Sequence, residues 1–405
     1  MKNKDMEKNS EIKTVVPALR FPEFITGKHW YISKVKDIYQ ITRGLVLAVS
    51  LVKEIKDDIY IYPVYSSQTK NGGLVGYYKD YLYENAITWT TDGANAGDVN
   101  YRSGKFYCTN VCGVLLNQKG FSNKCMAEII NSVTRNYVSY VGNPKLMNGV
   151  MGDIIISVPP TIEEQQKIAD CLSSLDELIE ATTQKVKALK EHKKGLMQRL
   201  FPAEGKNVPD LRFPEFQGQA TEWQSTLLGA VVDYENGRAH ENEIDDEGDF
   251  IVVNSKFIST DGEVVKRTNT PYCLADKEDI LMVLSDVPNG RAIAKCFFID
   301  QSGVYTVNQR ICRLRSKNVN SKLLFYLINR NPYFLSFDDG VKQTNLKKNE
   351  VLECPLMIPS SPIEQQKIAD LLSSIDDLII ATEQRIKSLE KHKKGLMQQL
   401  FPNIL

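Results

Sequence analysis

The chain has 405 residues, enough for two or three domains of ordinary size. Its 50 basic and 50 acidic residues cancel, so bulk charge by itself gives no reason to expect a polyanionic partner. Apolar residues make up 42% and charged residues 25%, the balance of an ordinary globular protein rather than a disordered or fibrous one. Apolar runs such as Ile154–Ile156 are far too short to span a bilayer. The first residues, MKNKDMEKNSEIK, lack the apolar stretch of a signal peptide and read as a polar tail over 1–15. Eight cysteines without close, regular spacing argue against a disulfide framework, so a cytoplasmic location is expected.

In chain order, a short motif VPALRFPEF at 16–24 opens a region of about 140 residues, read as a domain over 16–160. Short apolar strand-like stretches there, such as Tyr60–Tyr62 and Gly113–Leu116, alternate with polar, glycine-rich loops at 66–73 and 90–98. Ser67, Gln68, Lys70, Asn71 and Asn95 in those loops, with Tyr101, Arg102 and Lys105 just beyond, are the side-chain types that reach base edges and phosphates. The same loops also carry ordinary turn chemistry. Cys108 and Cys112 lack a second pair at zinc spacing and read as strand residues.

Residues 161–202 read as one long helix. Ile168, Leu172, Leu175, Ile179, Thr182, Val186, Leu189, Leu196 and Leu200 recur at alternating spacings of four and three, with Lys193 the one interruption. This is a heptad seam. About 37 residues at 1.5 Å each would give a rod of roughly 55 Å. Gly195 is an oddity inside its basic end, suited to a bend or a close partner contact, or to simple fraying of the helix end.

After a linker at 203–216 containing a second VPDLRFPEF, the order begins again: a region over 217–360, then a helix over 361–402. Aligned without a gap, residues 164–202 and 364–402 match at 28 of 39 positions. The two regions between the repeats show little mutual similarity. In the second region Asn254, Lys256, Asn289, Arg291, Gln309, Arg310, Lys342, Gln343 and Asn345 are the candidate contact residues. Arg291, Gln309 and Arg310 lead, because arginine can bind guanine bidentately and amides can bind adenine. Asn331-Pro332-Tyr333-Phe334 superficially matches an amino-methyltransferase motif, but it lacks a second proline and reads as a helix end.

Charge is lopsided along both helices. Glu164–Glu180 and Glu364–Glu383 each carry five acidic residues and one basic, and the following stretches are predominantly basic. Parallel packing would set like charges together, so an antiparallel pair within one chain is expected. Gly395 and the histidines His192 and His392 fall at equivalent positions of the two basic ends.

Two dissimilar regions alternating with two near-identical helices, each opened by EQQKIA and ended by KKGLMQ(R/Q)LFP, resemble the specificity subunits of Type I restriction-modification systems. The resemblance covers essentially the whole chain after the polar tail. It implies an α+β fold: two mixed α/β target-recognition domains separated by two long helices that form an intramolecular antiparallel coiled coil with pseudo-twofold symmetry. It also implies that each region reads one half of a bipartite site in double-stranded DNA, and that the helices set the spacing. Two methyltransferase subunits and two restriction subunits would be the protein partners, with no membrane involved. S-adenosylmethionine, ATP and Mg would serve those partners, with no cofactor and no catalysis on this chain. A coiled-coil scaffold without DNA, or a methyltransferase specificity part working without a restriction subunit, are the alternatives. No P-loop accompanies these motifs.

Overall fold

The structure is a computed structural model that describes residues 13–68, 71–203, 205–218, 223–288 and 290–403. Most of the polar tail, together with Lys70 and Asn289, therefore lies outside the described residues. The chain divides into two compact units, residues 1–183 with 384–405, and residues 184–383. Both boundaries cut through a long helix, at 183/184 and 383/384.

The expected helices are present as Ile162–Leu200 and Pro362–Leu400, each a single uninterrupted helix through its glycine. Within the first unit the start of one packs on the end of the other. Ile168, Ala169 and Leu172 share a core with Leu396, Leu400 and Phe401. Within the second unit Ile368, Ala369 and Leu372 do the same with Leu196, Leu200 and Phe201. The pairing is antiparallel in each unit, as the charge pattern requires. Ion pairs across it include Lys393 with Asp176 in the first unit, and Lys193 with Asp376 and Lys190 with Glu383 in the second.

The two repeated motifs bond to each other, which explains why they recur together. Arg20 of the first LRFPEF donates from Nε and Nη2 to the Glu164 carboxylate at 2.6 and 2.7 Å. Arg212 repeats this on Glu364 at 2.7 Å for both bonds. Both carboxylates are only 1% exposed. Such a pair is bidentate and charge-assisted, and it fixes the direction in which each helix leaves its domain. The next residue closes the joint, with Gln165 Nε2 donating to the Pro159 carbonyl at 3.0 Å and Gln365 Nε2 to that of Pro359 at 2.8 Å. The other end of each motif grips the partner helix: the Leu19 amide donates to the Gln399 carbonyl, and the Leu211 amide to that of Arg199.

Each domain is tied shut by a strand just after the motif and one just before the helix. Trp30–Lys34 pairs antiparallel with Ile155–Val158, and Trp223–Leu227 with Pro355–Pro359. Between them the first domain holds a six-stranded sheet. Its order is Gln40–Arg43, Cys112–Leu116, Tyr83–Thr90, Val99–Cys108, Tyr62–Tyr65, Leu74–Tyr78. All neighbours are antiparallel except the parallel contact between Val99–Cys108 and Tyr62–Tyr65. The second domain holds the same arrangement in two pieces. One runs Val232–Asn236, Ile311–Ser316, Ile280–Val283, Cys296–Phe298, and the other Arg267–Thr268, Phe250–Val253, Tyr305–Val307. The ten-residue strand Val99–Cys108 thus corresponds to two short strands separated by residues 299–304. A helix covers the sheet in each case: Lys124–Thr134, capped by Asn123, and Ser321–Ile328, capped by Asn320.

Candidate nucleic-acid interface

The loops at one end of each sheet are held together by a single residue. In the second domain the Leu284 amide donates to the Arg310 carbonyl at 2.9 Å, and the Leu284 carbonyl accepts from the Leu346 amide at 2.8 Å. Three loops converge there: the 308–310 turn, the 286–293 loop and the 342–345 segment. The short strands Ser285–Asp286 and Thr344–Asn345 pair beside it.

The 286–293 loop is clamped from two sides. The Asp286 carboxylate accepts from the amides of Val287, Ala292 and Ile293 at 2.9, 2.6 and 3.1 Å. Gly290 passes so close that a Cβ there would lie 2.1 Å from Asp286 Oδ2. From the other side Arg330 Nη1 donates to the carbonyls of Arg291 and Ile293 at 2.9 and 3.2 Å.

The expected contact residues of this domain fall into two groups. Arg291, Arg310 and Lys342 stand exposed on the converging loops. Gln309 is exposed on the same turn and donates to Glu241 Oε1 at 2.9 Å. Gln343 donates to Ser285 Oγ at 2.7 Å and to Asn345 Oδ1 at 3.2 Å, and Asn345 Nδ2 lies 3.5 Å from the Gln343 carbonyl. Asn254 is spent locally: its side chain accepts from the Phe257 amide at 2.9 Å and caps helix Ser255–Ser259, with Lys256 exposed in the first turn.

The first domain repeats the construction at Thr91. Its amide donates to the Val111 carbonyl at 3.0 Å, and its carbonyl accepts from the Leu146 amide at 2.9 Å. Other bonds match one for one. Gly44 donates to the Cys112 carbonyl as Gly237 does to that of Ile311, both at 2.9 Å. Thr109 donates to the Tyr65 carbonyl at 2.9 Å as Asn308 does to that of Val253 at 3.0 Å. The bridge Asp92–Lys145 stands where Ser285 pairs with Asn345. Position by position, Asn110 corresponds to Gln309, Val111 to Arg310, Asn143 to Gln343 and Lys145 to Asn345.

Of the expected residues in this domain, Gln68 and Asn95 lie together, Asn95 Nδ2 being 3.5 Å from the Gln68 carbonyl. They line a polar cavity of about 290 Å3 with Ser66, Asn100 and Arg102. Ser67 is half-buried beside them, and Asn71 is exposed in the turn Asn71–Gly73. All three residues of that turn have positive φ, at 51°, 57° and 88°, which is why the sequence there is Asn-Gly-Gly.

Arg102 faces inward. It donates to Thr88 Oγ1 at 3.1 Å and to the Gly72 carbonyl at 2.8 Å, and its guanidinium lies 3.7 Å from the Tyr65 ring centroid. Burial draws its pKa down from the ordinary arginine value. In this arrangement it braces the turn Asn71–Gly73. Tyr101 is half-buried, its hydroxyl 3.4 Å from Asn85 Oδ1, and burial raises its pKa. Lys105 lies over the Tyr81 ring at 4.6 Å, opposite Glu84 and at the far end of the hairpin from its turn.

The remaining chemistry-bearing residues lie apart from these loops. Cys108 and Cys112 are buried, and burial pushes the Cys112 thiol up to about 11. Asn331 accepts from the Tyr333 amide at 2.9 Å and caps the short helix Pro332–Leu335, so that motif marks a helix start following the end of another. His192 and His392 are exposed on the long helices. Among the described residues no group of three or more His, Cys, Asp or Glu could hold a metal ion, and no helix is long and apolar enough to cross a membrane.

A frame built twice, with helix joints made by repeated motifs and loop clusters that differ in side chain, defines a protein of two like domains that present different side chains on a common scaffold. The chain belongs to the Type I restriction modification DNA specificity domain family, which matches residues 27–191 and 220–391. It is 25% identical over 417 residues to the MjaVIII specificity subunit of Methanocaldococcus jannaschii, covering 95% of this chain and 93% of that one. It is 36% identical over 159 residues to a type I specificity subunit of Mycoplasma pneumoniae, a stretch that is 38% of this chain and 51% of that relative. The fold matches the crystal structure of the Type I restriction-modification S subunit from M. genitalium with a TM-score of 0.65 at 15% identity, covering 96% of this chain and 100% of that one.

Proposed function

We propose that this chain is the DNA sequence-specificity subunit of a Type I restriction-modification complex. Each domain reads one half of an asymmetric bipartite site, and the paired helices set the spacing between the halves. One observation carries this reading: the same backbone framework presents Asn110-Val111 in one domain and Gln309-Arg310 in the other. A common scaffold with different side chains at corresponding loop positions suits two readers of different sequence.

The chain acts without catalysis of its own, in the cytoplasm, with two methyltransferase and two restriction subunits. S-adenosylmethionine serves the methyltransferases, and ATP and Mg the restriction subunits. A net charge of zero is compatible with DNA binding when partners enclose the duplex and supply part of the phosphate contacts.

The test is to map methylated adenines in cells with and without the chain. Loss of a two-part motif on deletion supports the reading, and an unchanged methylome overturns it. Methylation that depends on the chain without accompanying cleavage would point instead to a methyltransferase specificity part working alone.

A further inference from the structure

The first domain owns contact positions that its sequence does not advertise. We propose that Asn110, Asn143 and Lys145 meet DNA in the first half-site, with Asn110 as a base reader. This rests on the reading of the chain as a DNA-specificity subunit.

The argument is positional. Four backbone hydrogen bonds recur between the two loop clusters: two at the Thr91 and Leu284 nodes, the Gly44 and Gly237 bonds, and the Thr109 and Asn308 bonds, with the Asp92 and Ser285 bridges in the same register. They place Asn110 and Lys145 where the second domain carries Gln309 and Asn345. All four of these residues are exposed.

The correspondence extends to side chains. In the second domain the Gln343 amide donates to Ser285 Oγ. In the first, the Asn143 amide donates to Asp92 Oδ1. One position of each pair holds the acceptor and the other is an amide held against it, although the residue types differ. The Lys145 ammonium stands 3.9 Å from Asp92 Oδ2, and half of its side chain remains open to solvent. A held amide thus stands at the rim in both domains, and the first domain adds a cation at Lys145 where the second has Asn345.

The chemistry then assigns ligands. An asparagine amide offers a donor and an acceptor that match adenine N6 and N7 in the major groove. A lysine ammonium donates to guanine O6 and N7 or to a phosphate oxygen.

The test assembles the chain with its methyltransferase and maps methylation for Asn110→Ala, Asn110→Asp and Lys145→Ala, with Arg310→Ala as a control in the other domain. Asn110→Ala should lose about tenfold or more discrimination at one position of one half-site. Asn110→Asp, now an acceptor only, should shift that position toward cytosine. Lys145→Ala should relax one position if it meets guanine, or weaken all sites alike with a shallower salt dependence if it meets phosphate. Unchanged motif, rate and salt dependence in Asn110→Ala and Lys145→Ala overturns the proposal. If Arg310→Ala alters its half-site while those variants do nothing, this inference fails and the functional reading stands. If removing the chain leaves the methylome intact, both fail. Unfolding curves for the exposed-site variants should overlay the parent and so separate contact from folding.

Discussion

Lys193 places its ammonium 2.6 and 2.7 Å from the two carboxylate oxygens of Asp376, at the seam position where the heptad pattern breaks. The Tyr326 hydroxyl donates to the same carboxylate at 2.8 Å, so the interruption is a polar layer anchored to the domain. In the first unit Lys393 and Lys124 hold Asp176 in the equivalent way. Lys193→Ala should destabilise the chain by about 1–2 kcal/mol, because it strips a partly buried carboxylate of its cation. Exchanging the charges, Lys193→Asp with Asp376→Lys, should recover part of that loss. Denaturant unfolding of the singles and the double reads the coupling, and no recovery would mean that the pair does not direct the helices.

The Arg20–Glu164 joint is a deeply buried ion pair, with side chains 6% and 1% exposed. Removing one partner leaves a charge without compensation. Glu164→Ala should therefore cost about 3–5 kcal/mol, and Arg20→Lys should restore little of the joint because lysine cannot make the two-pronged contact. Thermal unfolding measures both.

The two joints differ at their tryptophans. Trp30 Nε1 donates to Glu164 Oε1 at 2.9 Å, whereas the equivalent Trp223 Nε1 is buried with no partner among the described residues. Replacing either indole by phenylalanine removes similar volume, but only the first change breaks a hydrogen bond to a charged group. Trp30→Phe should be more destabilising than Trp223→Phe by about 1–3 kcal/mol. Equal losses would show that the bond contributes nothing.

The helical glycines give the opposite sign. A Cβ at Gly195 or Gly395 meets nothing within 4 Å, and both helices run through without a break. Gly195→Ala and Gly395→Ala should each stabilise the chain by roughly 0.5–1 kcal/mol. At Gly44 and Gly237 a Cβ would sit 2.2 and 2.1 Å from a carbonyl oxygen, so alanine there should destabilise strongly. Melting temperatures of the four variants should fall on opposite sides of the parent.

Acid should loosen the helix pairing in the first unit. Burial works to raise the Asp176 pKa, but hydrogen bonds from Lys124 and Lys393 outweigh it and hold the carboxyl below its ordinary value. A depressed carboxylate contributes stability that is fully present above the unfolded pKa and is lost as pH falls through the folded one. Glu128 beside it is raised by burial and titrates with the opposite sign. Asp176→Asn should therefore be less stable than the parent near neutral pH, with the difference closing below about pH 4. A gap that stays constant with pH would remove Asp176 from the acid response.

The frame was legible in the sequence because it depends on local periodicity and on repetition. Heptad spacing specified the helices, and the segregation of Glu164–Glu180 from Lys185–Arg199 specified their antiparallel sense. The link from Arg20 to Glu164 was not legible, since 144 residues separate a pair that no spacing rule connects. The loop clusters were harder still. The segments that carry Asn110, Asn143 and Lys145 are joined only through Thr91, distant from them in sequence, and nothing in residues 109–111 or 143–145 distinguishes them from ordinary turns. Arg102 shows the reverse problem: its type and loop setting suggested a surface contact, but strand register turns it inward onto Tyr65 and Gly72.

The nodes at Thr91 and Leu284 make each loop cluster one mechanical object. A single peptide group on either side of Leu284 joins the turn that carries Arg310 to the segment that leads from Asn345 into Leu346. Moving one loop to suit a new base therefore drags the others. Substitutions within a cluster should combine non-additively, and a change aimed at one base pair should disturb its neighbours. Altered specificity is then more accessible by replacing a whole cluster than by editing it one residue at a time.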